Sequence, residues 1–334
     1  MKESLSIIGA GNWGTTLAIT LSLKGLSVDL HSVFEEHNIQ MQEERVNNLF
    51  LKGKRFPPSL TITKTLEDAL KNDIIIIAIP VKFISSVLKK IKKHKVSLKN
   101  KIFVSVSKGI ESKSLRRVSQ IIKDELNILN IAVLSGPNIA NEVINNVPSA
   151  AILACKNKKI GHRLQILFTN PTFRVYYHKD IIGVELGGAL KNIIALSCGI
   201  SDGLGFGINT KSALATRGLA EITRLGKALG ANPITFWGIS GLGDLATTCF
   251  SAYSRNRIVG EQIGKGRKLD DIIKDMNMVA EGVETVKAAF KLSRKLNIDM
   301  PIMKEVYSVL YKGKSPKKAV EDLMTRPLKT EKIG

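Results

Sequence analysis

Lys191 and Asn192 interrupt a helical run that is otherwise apolar after Glu185, Gly183-Val184-Glu185-Leu186-Gly187-Gly188-Ala189-Leu190-Lys191-Asn192-Ile193-Ile194-Ala195-Leu196. A lysine in such a run has two possible fates. Burial lowers its pKa and prepares the amine to exchange protons near neutral pH. Snorkelling lays its alkyl stem on apolar surface and leaves the ammonium in water. Composition alone does not choose between them. Lys108 directly follows a buried apolar run, Lys101 to Ser107, which places its cation to meet an anionic or carbonyl oxygen. Asp244, in Gly238-Ile239-Ser240-Gly241-Leu242-Gly243-Asp244-Leu245-Ala246-Thr247-Thr248-Cys249, either caps a helix or holds a catalytic amine in place. Ser254-Arg255-Asn256-Arg257 opens a further helix, where backbone amides and a bidentate guanidinium suit a phosphate. The alternative is Ser254 as an N-cap with Arg255 and Arg257 in water.

A second kind of chemistry is written at the start of the chain. Ser4 to Ile8 is a short apolar strand, Gly9-Ala10-Gly11-Asn12-Trp13-Gly14 is a G-x-G-x-x-G turn, and a helix runs on to Lys24 before another strand at Leu26 to Leu30. Gly9 permits the tight turn, Gly11 admits backbone amides to a pyrophosphate, and Gly14 lets helix and strand pack closely. The motif between strand and helix predicts a dinucleotide site. An acid roughly 20 residues after the glycines would favour the free ribose hydroxyl of NAD, and an arginine the extra phosphate of NADP. Here the second strand ends His31-Ser32-Val33, which supplies neither. His31 and Ser32 offer a phosphate weak help, and the choice between NAD(H) and NADP(H) stays open.

These residues need a scaffold. Asp73 to Ile79, Lys101 to Ser107, Ile131 to Ser135, Ala150 to Cys155 and Phe173 to Tyr177 read as strands, and helices fill 36–46, 65–71, 81–93, 114–126 and 158–169. The alternation predicts a parallel sheet covered on both faces. Beyond residue 180 helical periods dominate and no strand is evident through Lys329, with a long helix from Val184 to Gly203. The expected fold is α/β: a Rossmann-like, doubly wound sheet domain over 1–182, then an all-helical C-terminal domain over 183–334 carrying substrate chemistry. Ligands of open parallel sheets bind beyond the carboxyl ends of the strands. Lys108, Gly136 and Asn138, which follow such ends, are therefore expected to border the cofactor turn, although Gly136 and Pro137 also suit a plain turn.

Composition excludes several other classes. The net charge of +21 suits a nucleic-acid binder or a protein with anionic ligands. In Val81 to Lys93 the apolar residues recur at helical spacing and leave the lysines on a solvated face. Aromatic residues are 5% of the chain and do not alternate with basic ones as a stacking platform requires, so no nucleic-acid partner is expected. Cys155, Cys198 and Cys249 are widely spaced, the five histidines are scattered, and no metal site is predicted. Lys2 precedes a weakly polar run, yet Glu3 and Asn12 interrupt it and no small-x-small cleavage site comes before Lys24. No run of about 18 uninterrupted apolar residues suggests membrane insertion, and a soluble, cytoplasmic protein is expected.

GAGNWGT, SKGIE, SGPNIANEV, DIIGVELGGALKNIIA, SDGLGFGINTKSALATRGLAE, GLGDLATTC and SRNR occur in that order. In these motifs the chain resembles the cytosolic and bacterial NAD(P)-dependent glycerol-3-phosphate dehydrogenases, from its first strand to about residue 326. The resemblance implies hydride transfer from NADH or NADPH to C2 of dihydroxyacetone phosphate, giving sn-glycerol 3-phosphate for phospholipid synthesis, with Lys191 as proton donor and, in reverse, acceptor. It also implies that Lys108, Asn138, Lys191 and Asp244 surround the reacting carbonyl, while Gly136, Ser254, Arg255 and Asn256 hold the substrate. Asn12, Trp13, Val33, Lys108, Ala140, Arg255, Val279 and Glu281 would contact the cofactor, the last two from Met278-Val279-Ala280-Glu281-Gly282. Position 138 is often threonine in bacterial members and is asparagine here, and either side chain forms hydrogen bonds. The nearest alternative is another two-domain dehydrogenase, of the group with 6-phosphogluconate and 3-hydroxyacid dehydrogenases, which share the glycine turn but lack GLGDLATTC and SRNR. The oligomeric state is open, with a homodimer as one option.

Overall fold

The computed structural model describes residues 3–94, 96–276 and 279–331, so Met1, Lys2 and Met278 lie outside the described residues. The chain divides into two compact units: residues 3–107, 118–134 and 138–181 form the first, and residues 108–117, 135–137 and 182–331 the second.

The first unit is the expected sheet, with ten strands in the described chain: β1 Ser4–Ile8, β2 Ser27–His31, β3 Val46–Asn47, β4 Leu51–Arg55, β5 Leu60–Ile62, β6 Ile74–Ile77, β7 Ile102–Ser105, β8 Ile131–Ser135, β9 Ser149–Cys155 and β10 Phe173–His178. The main sheet runs β10-β9-β8-β7-β6-β1-β2-β5. Strands β1, β2, β5, β6, β7 and β8 pair in parallel, as do β9 and β10. The continuous apolar run in β6 explains the two covered faces. Ile74 and Ile76 enter one hydrophobic cluster with Leu5, Ile7 and Val104, while Ile75 and Ile77 enter another with Ile8 and Phe103. Helix Val81–Lys93 turns Ile84, Leu88 and Ile91 into the second cluster and leaves its lysines outside.

Three local expectations are corrected. The helix expected over 36–46 is Glu35–Glu44 and stops at Arg45, whose φ is 56°. The helix expected over 114–126 begins only at Val118, because Leu115 takes φ 60° and the preceding chain closes through an Ile110–Arg117 bridge. The strands β3, β4 and β5 were not expected, being two to five residues long and set around Pro57 and Pro58.

Among the described residues from Ile182 onward there is no strand. Helix Ile181–Gly203 is long and apolar enough to cross a membrane by length and composition, yet 94% of its most apolar window is buried within the protein. It is a core helix, packing with Leu219, Ile222, Val286 and Met303 in the second unit's hydrophobic cluster. Its crossing with helix Arg255–Gly264 depends on small residues. A Cβ on Gly199 would lie 2.0 Å from the Arg257 carbonyl oxygen, and one on Gly260 2.1 Å from that of Leu196. This close approach brings the start of the SRNR helix beside Asn192.

Candidate active site

In the first unit the glycine turn performs the mechanics its spacing predicts. Gly9 has φ 117° and donates its N–H to the His31 carbonyl at 2.8 Å. A Cβ would sit 2.4 Å from the Ala78 carbonyl oxygen at Gly9, and 2.0 Å from the Gly9 oxygen at Gly14. Gly11 differs. It is the N-cap of helix Asn12–Leu23, and a Cβ there would meet nothing within 4 Å. The helix start has no side-chain cap and no acidic residue in its first turn, so its amides and dipole are available to an anion. The buried Asn12 Oδ1 has no hydrogen-bond partner among the described residues. Trp13 packs edge-on to Phe173 at 6.3 Å, and the short helix Ala140–Ile144 lies against Asn12–Leu23. Gly9, Gly11, Asn12 and Gly14 form a turn open at the helix start, with a polar atom left unpartnered among the described residues, Trp13 packed on Phe173 and the Ala140 helix alongside. A dinucleotide fits these residues.

The end of β2 is arranged differently from the sequence expectation. Burial lowers the pKa of His31, whose Nδ1 lies 3.2 Å from the Thr63 carbonyl, and Ser32 Oγ accepts the Phe34 N–H while contacting His37 Nδ1 at 3.1 Å. His37 Nε2 in turn contacts Asn47, whose amide reaches the Ala10 carbonyl and Thr15. His31 and Ser32 are buried beside the turn, with their side chains engaged by Thr63, Phe34 and His37. Val33 is the exposed residue at this strand end, 40% accessible. Asn138 is held in the first unit, its amide donating to the Ala150 carbonyl at 3.0 Å.

The second unit gathers the ionisable groups. Lys108 Nζ donates to the Gly136 carbonyl and to Asp244 Oδ2, each at 2.7 Å. Lys191 Nζ donates to the other oxygen of Asp244 and, at 2.7 Å, to Thr248 Oγ1. One buried carboxylate is shared by two ammonium groups. Lys191 is 6% exposed, which excludes snorkelling. Burial brings its pKa down to about 8, with Asp244 opposing that shift and Lys108 adding to it. Asp244 begins helix Asp244–Phe250 but makes no capping bond, so of its two sequence readings the structure takes the one in which it holds amines. Gly188 makes room for the group: a Cβ there would stand 2.5 Å from Ser135 Oγ and 3.5 Å from the Lys108 stem.

Thr248 has no assigned role in the sequence reading. It lies one helical turn after Asp244, accepts from Lys191 and donates to the Asp244 carbonyl at 2.6 Å, and that i,i+4 spacing was its only signal. Among the described residues, two of the three ammonium donors of Lys191 are engaged and one is left over.

The SRNR segment divides its duties. Ser254 caps helix Arg255–Gly264 through Arg257 N. Asn256 is buried and spends both ends of its amide, donating to Asn192 Oδ1 and accepting from Gly282 N. Arg257 is not in water: it pairs with Asp202 at 2.6 Å. Arg255 reaches the Val279 carbonyl at 3.0 Å, and Glu281 opens the following helix, Glu281–Lys295. Among the described residues no three His, Cys, Asp or Glu side chains gather as a metal site.

A doubly wound sheet with an open dinucleotide turn, and a helical unit with two lysines on one buried aspartate, define a two-domain nicotinamide-dependent dehydrogenase. The sequence matches the N-terminal region of NAD-dependent glycerol-3-phosphate dehydrogenase over residues 4–161 and its C-terminal region over 180–321. It is 47% identical over 331 residues to a glycerol-3-phosphate dehydrogenase [NAD(P)+] of Thermoanaerobacter sp. (strain X514), covering 99% of both chains, and 45% identical over 339 residues to that of Citrifermentans bemidjiense, covering 100% of both. The crystal structure of glycerol-3-phosphate dehydrogenase from Coxiella burnetii is similar with a TM-score of 0.93 and 36% identity, over 97% of this chain and 99% of that one. The chain belongs to the NAD-dependent glycerol-3-phosphate dehydrogenase family. A D-mandelate dehydrogenase, 15% identical with a TM-score of 0.64 over 95% of this chain and 99% of its own, shares the fold alone.

Proposed function

We infer that the chain reduces dihydroxyacetone phosphate to sn-glycerol 3-phosphate, reversibly, with NADH or NADPH. The bound reduced nicotinamide supplies a hydride to C2. Lys191 Nζ supplies the proton to the carbonyl oxygen and takes it back in the reverse direction, and a lysine whose pKa is about 8 serves both directions near neutral pH. Lys108 places a second positive charge where the oxygen gains negative charge, and Asp244 fixes both amines. Asn138 and Gly136 line the substrate position in this reading. The phosphate is assigned to the start of helix Arg255–Gly264, with Ser254, Arg255 and Asn256. Asn12, Trp13, Val33, Lys108, Ala140, Arg255, Val279 and Glu281 are assigned to the cofactor. Residues 1–182 are taken to bind the dinucleotide and 183–334 to carry the substrate chemistry. A cytosolic setting feeding phospholipid synthesis fits three free, buried cysteines, and a homodimer belongs to the same proposal.

The single observation that supports this reading most is the buried Lys191, sharing Asp244 with Lys108. The test follows NAD(P)H absorbance with dihydroxyacetone phosphate. Oxidation with stoichiometric formation of glycerol 3-phosphate is expected. Absence of turnover while other hydroxyacid or ketoacid substrates react would overturn it.

A further inference from the structure

The second unit holds a cavity of about 850 Å³ that the proposed reaction does not use. Helix Ile208–Ala228 turns Thr210, Leu214, Arg217, Glu221 and Arg224 toward it, one face at helical spacing. Helices Pro301–Tyr311 and Pro316–Met324 supply an apolar wall that includes Ile302, Val306, Val309 and Leu323, and residues 326–330 run along one side. The volume lies within the roughly 300–1,000 Å³ of small-molecule sites.

Two observations indicate what would occupy it. The first is a hydroxyl without a partner. Ser201 lines the cavity, is 2% exposed, and its Oγ has no hydrogen-bond partner among the described residues. A buried hydroxyl left unpaired costs on the order of 1–3 kcal/mol, which a ligand oxygen would recover. The second is a cationic edge. Arg217, Arg224, Arg326 and Lys329 all line the cavity. Arg326 and Lys329 share Asp299 at 2.9 and 3.3 Å, Arg217 meets Glu331 at 3.3 Å, and these pairs are solvent-exposed. Arg224 spends its guanidinium on the Asp299 backbone carbonyl. Exposed ion pairs are weak, so an incoming anion can displace them. The acids deeper in the wall are already engaged, Glu221 by the amides of Ile302 and Met303 and Glu305 by Lys314.

We propose that this cavity binds a single-chain anionic amphiphile, its acyl chain against the apolar wall and its head at the arginines. The chemistry is shared by a free fatty acid and by a monoacyl glycerol phosphate, and the experiment separates them. Isothermal titration of the full chain with oleate, and separately with 1-oleoyl-glycerol 3-phosphate, each below its micelle concentration, should give saturable one-site binding for at least one. The tighter of the two identifies the source. Arg217→Glu, a surface change, and Val320→Trp, which fills half-buried space in the wall, should each weaken binding at least tenfold and leave turnover of dihydroxyacetone phosphate unchanged. If Val320→Trp fails to fold, Arg217→Glu alone decides. No saturable binding of either amphiphile, binding indifferent to the variants, or sedimentation showing a dimer that both variants dissociate would overturn the proposal.

Discussion

Lys191 and Glu221 are buried in the same helical unit, 6% and 1% exposed, and the surroundings move both from their ordinary ionisation in the direction burial dictates. Burial brings the lysine down to about 8 and pushes the carboxyl up to about 7. What differs is how each is held. Lys191 is balanced by side-chain charges, Asp244 raising its pKa and Lys108 lowering it. Glu221 has both oxygens tied to backbone amides at the start of helix Pro301–Tyr311, at 2.7 and 3.1 Å, where it completes the helix end. A displaced pKa reports desolvation in both places. In the proposed reaction proton transfer additionally needs a donor left over for substrate, and of the two it is Lys191 that keeps one unengaged among the described residues.

The largest test of that contrast is Asp244→Asn. It leaves the buried Lys191 ammonium and the half-buried Lys108 ammonium without their shared carboxylate and removes what keeps Lys191 charged, so kcat for reduction should fall by about 10²–10³. A loss below fivefold would detach Lys191 from its proposed partner. Next comes the pH profile of the unaltered chain. In the proposed reaction, reduction needs Lys191 protonated, so kcat/KM for dihydroxyacetone phosphate should fall about tenfold per pH unit above about 8, while oxidation of glycerol 3-phosphate rises up to about 8 and then levels.

Glu221 should affect stability instead. The folded carboxyl keeps its proton to about 7, whereas the unfolded one loses it near 4.5. Between those values the folded state binds more protons, so stability falls as pH rises and is flat above about 7. Relative to Glu221→Gln, denaturation of the unaltered chain should lose roughly 2 kcal/mol between pH 5 and 8, with activity nearly unchanged. Parallel pH dependence in the two proteins would refute the assignment. The smallest effect belongs to an exposed site: Val33→Arg, beside the strand end that lacks both an acid and an arginine, should shift the NADPH to NADH preference upward by about tenfold in kcat/KM.

Legibility in the sequence followed the kind of interaction. The dinucleotide turn was readable because its parts are backbone geometry, and Gly9, Gly11 and Gly14 each announce a steric requirement. Strands such as β6 were readable from an unbroken apolar run. Strand β5 was not, since three residues beside Pro57 and Pro58 carry no period. Lys191 was ambiguous because burial is decided by packing, and here by Gly187 and Gly188, which admit Ser240 and the Lys108 stem. The polar floor linking Ser32, His37 and Asn47 was invisible, as its bonds join positions ten or more residues apart or depend on the turn between them. Segments 108–117 and 135–137 group with the helical unit, a division that no linker composition marks.

In the proposed reaction Lys191 moves the proton. The most direct measurement compares Lys191→Ala with the unaltered chain in pre-steady-state reduction of dihydroxyacetone phosphate, alongside NADH and NADPH binding to each. A loss of about 10²–10⁴ in the reduction rate is expected, with cofactor affinity within about twofold. A rate within tenfold of the unaltered chain, at intact cofactor binding, would contradict it.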